Sequence, residues 1–230
     1  MWSQVSRILL RPLCWSGLPG VKSAARHLDW ELKMDARHRR ARRELARNRP
    51  QGPLRLHLGC GPTLKQGWVN VDLEDPGADY RLDIRRDWPF EDGSVDTIYS
   101  EHFFEHLEYP GEVESFLREA LRVLRPGGRL SSGVPDTESI LSAYASKNGE
   151  HVDSAREKGW HPTWCDTPLH SVNYHFRQGH EHKYAWDFET FARVLEQAGF
   201  TRTSEREYDP ELDNEAWRAG TIYVDGYKPE

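Results

Sequence analysis

At 230 residues, with 37% hydrophobic and 30% charged positions, the chain has the size and composition of one soluble domain. No apolar run approaches the roughly 20 residues that cross a bilayer, and Ile8-Leu9-Leu10, broken by Arg11 and Pro12, is too short for a signal-peptide core. Residues 1–50 hold 12 Lys/Arg against 4 Asp/Glu and residues 51–230 hold 19 against 33, so a segment of +8 precedes a body of −14. An acidic body argues against a nucleic-acid groove, which needs clustered Lys and Arg. Three widely spaced cysteines (Cys14, Cys60, Cys165) argue against a disulfide framework, and a reducing, cytoplasmic setting is expected.

Ser23 to Asn48, rich in Ala, Leu, Arg and Glu, reads as a helix with a thin apolar stripe of Leu28, Leu32, Met34 and Leu45. Its Arg-rich stretch reads as a solvated face, with contact to an anionic partner as the alternative. Pro50-Gln51-Gly52-Pro53 cannot continue a helix and marks a boundary, dividing the chain into a basic extension (1–50) and a domain (51–230). Leu54 to Leu58 alternates and ends at Gly59, which reads as a strand, and Trp68 to Asp72 as a second. Asp79 to Leu82 reads as a short third strand, and Ser94 to Ser100 as a fourth, followed by helical residues through His106. Glu112 to Leu124 has helical spacing and stops at Pro126-Gly127-Gly128; Arg129 to Val134 is a fifth strand. A helix opens at Asp187 and is capped by Gly199, and Phe200 to Glu205 and Thr221 to Tyr227 are two closing strands. Strands alternating with helices predict an α/β fold, a mostly parallel seven-stranded sheet with helices on both faces. Only eight residues (60–67) separate the first two strands, so the helix between them must shrink to about one turn.

In such sheets ligands bind beyond the carboxyl ends of the strands. Gly59-Cys60-Gly61 lies there, with no Cβ on either glycine to hold a ligand away. Asp72 ends the second strand, where its carboxylate is placed to accept from ribose hydroxyls. Asp83 follows the third, placed to accept from an adenine amine with Ile84 against the ring.

The segments 57–62 (HLGCGP), 67–72 (GWVNVD), 87–96 (DWPFEDGSVD), 100–107 (SEHFFEHL) and 121–130 (LRVLRPGGRL) together resemble the class I S-adenosylmethionine-dependent methyltransferases. The likeness covers about residues 54–134 and is close to methyltransferase domain 11. It extends loosely over 180–227, where His182-Lys183-Tyr184 precedes the last helix as in sugar- and polysaccharide-modifying members. The resemblance implies a Rossmann-like fold with an antiparallel last strand, and S-adenosyl-L-methionine as cofactor. Gly59 and Gly61, with Cys60 between them, would meet its methionine and ribose parts. Asp72 and Leu73 would meet the ribose, Asp83 and Ile84 the adenine, and Ser100 and Glu101 the methionine end. His57 stands where the family often has an acid, and it can bond the cofactor amine only when neutral.

Methyl transfer needs a base only where the acceptor must lose a proton. His102 and His106 lie four apart beside the expected methyl position, with Glu101 next to them, and are the catalytic candidates. A purely structural role for His106 is the alternative. Residues 145–186, too long for a plain linker, are expected to cap the substrate, with His175, His180, His182 and Tyr184 as contacts. The spacings of His161, Cys165, His170, His175, His180 and His182 match no standard zinc pattern, and no metal is expected. The expected activity is methylation at O or N of a small molecule, a sugar or biosynthetic intermediate, by a monomer or homodimer without nucleic-acid partner or membrane span. A catalytically inactive scaffold is the rival. A nicotinamide fingerprint fails because Leu64 stands where a third glycine is needed and Asp72 comes too early.

Overall fold

The computed structural model describes residues 19–50 and 52–230; Ile8–Leu10, Cys14 and Gln51 lie outside the described residues. Helix α1 (Pro19–Arg47) begins four residues before its predicted start. Ion pairs one turn apart (Asp29–Lys33, Asp35–Arg39, Arg40–Glu44) brace its exposed side, each by a few tenths of a kcal/mol. Its buried face is Met34, His38, Ala41 and Leu45, spaced four, three and four apart, while Leu28 and Leu32 of the predicted stripe are exposed. Ala41 and Leu45 belong to the main hydrophobic core. Among the described residues no helix is long and apolar enough to cross a membrane.

Strands β1 (Leu54–Leu58), β2 (Val69–Val71), β3 (Val95–Glu101), β4 (Leu124–Pro135), β5 (Thr201–Arg206) and β6 (Thr221–Tyr227) form a sheet ordered β2-β1-β3-β4-β6-β5. The first four run parallel and β6 is antiparallel to both of its neighbours, as expected for the last strand. The sheet has six strands rather than seven. The predicted strand at 79–82 is a single bridge, Tyr80 to Val71, because Asp79 turns its carboxylate back onto the Asn70 amide. The β1–β2 crossover contains no helix; its ten residues (59–68) close two turns, Thr63 N–H on the Cys60 carbonyl and Trp68 N–H on the Lys65 carbonyl.

The sheet's two faces differ in chemistry. Leu54, Leu56, Leu58, Ile98, Leu130 and Val224 form one apolar face, on which α1, α2 (Gly111–Val123) and α6 (Phe188–Ala198) pack. α6 starts on the Asp187 side chain, which accepts from the Thr190 amide, and stops at Gly199, whose φ of 111° only glycine adopts freely. On α2, Arg122 bonds Glu119, Asp92 and the carbonyls of Trp88 and Phe90, fixing the acidic loop before β3. The other face carries His57, Tyr99, Ser131, Tyr223 and Asp225, and the 207–218 loop covers it. Arg206 holds that loop with a forked bond to Asp213 and reaches Ser131 and Asp225. Beyond β4, α3 (Thr137–Ala145), α4 (Gly149–Glu157) and α5 (Pro168–Arg177) stand at the carboxyl end of the sheet.

Candidate active site

Two features meet at the carboxyl edge of the sheet. The first is the glycine turn after β1. Gly59 and Gly61 have φ of 65° and 47°, the left-handed region. A Cβ on Gly59 would stand 2.6 Å from the Phe103 ring, so that glycine answers a packing need. Nothing lies within 4 Å of where a Cβ on Gly61 would be, so the space over Gly61 is open. Asp72 faces that space: its carboxylate accepts from the amides of Gly61 (3.0 Å), Glu74 (2.7 Å) and Asp75 (2.8 Å). A pinned acid beside an open glycine backbone fits a ribose with two vicinal hydroxyls.

The other predicted cofactor residues are unequally placed. His57 is buried against Tyr99 with Nδ1 3.3 Å from the Asn70 side-chain oxygen, and burial pushes its pKa down to about 4, so it is neutral. Burial, reinforced by Asp72 and Asp75, pushes the Cys60 thiol up to about 12, leaving no thiolate at neutral pH. Asp83 is nearly sealed. Burial works against its charge, but Arg85, at 2.8 and 2.9 Å from the two oxygens, outweighs this and holds its pKa below the ordinary value. Its backbone amide donates to His38 Nδ1 of α1 (3.1 Å), so α1 roofs the adenine end predicted for this cleft. Ile84 is in the core, and Leu73 offers its carbonyl to Arg37. Ser100 is fully buried with its hydroxyl on Ser132. Glu101 is buried too, accepting from the Asn214 amide (3.1 Å) and the Tyr223 hydroxyl (3.2 Å), and burial raises its pKa. The carboxylate of Glu101 thus ties the 207–218 loop to β3 rather than facing an acceptor.

The second feature is a cavity of about 460 Å³ between the β3 and β4 ends and helices α3 to α5. His102, Glu105, His106, Trp160, His175 and His182 are among its lining residues. Of the four predicted substrate contacts, His175 and His182 line it. His180 is exposed, and Tyr184 packs on Tyr109 and Trp186 instead. Burial, aided by the neighbouring histidines, pushes His175 down to about 4, and its Nε2 is 2.9 Å from the Thr137 hydroxyl. Sequence reasoning missed Trp217, in the loop before β6, and Thr221, the first residue of β6, which both reach the cavity, and it gave Glu105 no role in the chemistry.

His102 and His106 do not share a helical face as their spacing predicts. The segment makes only one 3-10 turn, Phe104–His106, and His102 has a φ of 51°, a costly conformation for a residue with a Cβ. They converge nonetheless on Glu105, which is 2% exposed. His102 Nδ1 is 3.3 Å and His106 Nε2 3.9 Å from Glu105 Oε1, and neither carboxylate oxygen accepts a well-directed hydrogen bond. Burial opposes the Glu105 charge, but His102 and His106 more than offset it and hold its pKa below the ordinary value. On its far side, His102 Nε2 is 2.9 Å from the Thr221 hydroxyl, and its ring lies 4.6 Å from Trp217.

Residues 64–132 match the family profile described as a methyltransferase domain. An uncharacterised protein of transposon TN4556 from Streptomyces fradiae is 39% identical over 117 residues, covering 40% of this chain. The match spans about a third (33%) of that relative's length. Among solved structures, a possible exported protein from Bordetella parapertussis has a TM-score of 0.48 at 19% identity, over 85% of this chain and 68% of that one. The phosphoethanolamine N-methyltransferase 2 of Haemonchus contortus, in complex with S-adenosyl-L-methionine, has a TM-score of 0.47 at 13% identity, over 84% and 53%. An S-adenosylmethionine-dependent methyltransferase from Archaeoglobus fulgidus has 0.47 at 14%, over 88% and 99%. At these values the structural likenesses carry no argument about this chain. The profile match runs from the β1–β2 crossover into β4, so over residues 64–132 this chain is similar to a methyltransferase domain, and the glycine turn facing Asp72 lies just ahead of the match.

Proposed function

We propose that this domain methylates an oxygen or nitrogen of a small molecule held in the histidine-lined cavity. The observation that carries the reading is the continuity of the 101–105 segment. Phe103 packs on Gly59 of the cofactor turn, while its neighbours His102 and Glu105 line the cavity. A methyl donor seated on the turn would therefore abut the cavity at His102. S-adenosylmethionine supplies a methyl on a positive sulfur, so holding the acceptor in line and excluding water can do much of the work. The acceptor gains CH₃ and gives up one proton. His102 is placed to take it: its Nδ1 lies 3.3 Å from Glu105 Oε1, and its Nε2 reaches the cavity edge at the Thr221 hydroxyl. The Thr221 hydroxyl gives its proton to the Trp217 carbonyl (2.7 Å) and so accepts from His102 Nε2; an acceptor must displace it for Nε2 to serve as the base.

The acidic body and the aromatic and imidazole lining of the cavity favour a small acceptor over nucleic acid. The division at residue 50, the cytoplasmic setting and a monomer or homodimer remain part of this proposal. The test is to screen sugars, phenols and amines for methyl uptake, comparing wild type with His102→Gln. A fall in kcat of about 10²-fold or more, with S-adenosylhomocysteine affinity retained, supports the reading. Full activity in His102→Gln removes His102 as base, and cofactor binding without turnover on any acceptor favours a binding protein.

A further inference from the structure

We infer that Glu105, His106 and His182 form a binding site for one divalent transition metal, zinc(II) by its donor set, on the wall of the cavity. One ligand atom from each lies within 4.8 Å of the others. Two imidazoles and a carboxylate, with a position open to a cavity, are the donor set and vacancy of mononuclear zinc sites that bind a reacting group. The arrangement of the outer atoms strengthens the case. His182 Nδ1 is 2.5 Å from the His175 carbonyl and His106 Nδ1 is 3.2 Å from the Glu181 carbonyl. A carbonyl only accepts, so both rings carry their proton on Nδ1 and present the Nε2 lone pair. That is how metal-binding histidines are held. His106 Nε2 is thereby turned toward Glu105 at 3.9 Å.

Glu105 supplies the second, independent reason. A carboxylate 2% exposed, with neither oxygen accepting a directed hydrogen bond, is a costly feature. A dication answers that cost, and His102, at 3.3 Å from Oε1, then orients the coordinated carboxylate. Ligands at about 2.1 Å from zinc stand about 3.4 Å apart in a tetrahedron, so metal entry draws the side chains together by roughly 1 Å. The ligands come from the turn after β3 and the end of the 145–186 segment, which is why no zinc spacing appears along the chain. The metal site rests on this geometry alone. Only one corollary, that the acceptor's oxygen or nitrogen takes the open position, rests on the methyl-transfer reading.

The test uses the full chain, stripped with chelator and titrated with ZnCl₂ by calorimetry and with CoCl₂ by visible absorption, both without cofactor. One equivalent of zinc at micromolar affinity or tighter is expected, with cobalt d–d bands of a low-coordinate site. His106→Ala and His182→Ala should each weaken zinc by at least about 100-fold. His170→Ala, an exposed histidine paired with Asp166, should leave it unchanged. Circular dichroism confirms folding, and either alanine variant that folds suffices. Weak or substoichiometric zinc binding to wild type overturns the proposal, as does unchanged binding in a folded His106 or His182 variant. S-adenosylhomocysteine binding, measured on the same metal-free protein, reports separately on the methyltransferase reading.

Discussion

The two glycines of the β1 turn should fail in different ways when each is replaced by alanine. Both hold left-handed φ, which costs an alanine about 1–2 kcal/mol relative to glycine. At Gly61 that is the whole structural cost, because the new methyl meets nothing within 4 Å. At Gly59 the methyl would sit 2.6 Å from Phe103 Cδ2 and 3.0 Å from Cγ. The ring cannot swing freely, being wedged against Phe104 and Phe116 at centroid distances of 6.1 and 5.7 Å. Overpacking of this kind adds about 1–3 kcal/mol. Gly59→Ala should therefore lose about 2–5 kcal/mol and Gly61→Ala about 1–2. Urea unfolding followed by tryptophan fluorescence reads both. Calorimetry with S-adenosylhomocysteine should show the opposite ranking per unit of stability lost: Gly61→Ala stays folded but binds at least about tenfold more weakly, about 1.4 kcal/mol. Equal stabilities of the two variants within about 0.5 kcal/mol would refute the Phe103 contact. Unimpaired binding by Gly61→Ala would refute the claim that the cofactor occupies the open space over that turn.

Asp72→Ala should abolish measurable cofactor binding and loosen the turn, since three amides lose their acceptor; calorimetry on Asp72→Ala and Asp72→Asn separates lost charge from lost geometry. Leu45→Ala should cost about 2–5 kcal/mol in urea melts if α1 belongs to the domain core, whereas exposed Leu28→Ala should fall within about 0.5 kcal/mol of wild type. His57 predicts an acid-sensitive stability. Its folded pKa of about 4 lies below the ordinary 6.5, so the unfolded chain binds the proton first and stability is lost as pH falls from 6.5 toward 4. By pH 5 the loss from this one group is about 2 kcal/mol, and His57→Gln should flatten that part of a stability-against-pH series. Trp160→Ala, which opens one wall of the cavity, should raise acceptor KM with little effect on cofactor affinity.

Local chemistry written along the chain determined most of the framework. The alternation of Leu54–Leu58 placed β1, the runs 94–100 and 221–227 anticipated β3 and β6, the Asp187 and Gly199 caps placed α6, and Gly59-Cys60-Gly61 with Asp72 anticipated the turn after β1. Each of these depends on neighbours within a few residues, which is why it could be read there. Tertiary structure decided the rest. The residues at 79–82 have strand character but became a single bridge, because Asp79 is spent on Asn70. Leu28 and Leu32 of α1 look like core residues, yet the docking face runs through Met34, His38, Ala41 and Leu45. Glu105 reads along the chain as one residue of a helical stretch, and only folding leaves its carboxylate buried among His102, His106 and His182. A buried charge is defined by what surrounds it, and its surroundings here come from segments that meet only when the sheet closes under α3, α4 and α5.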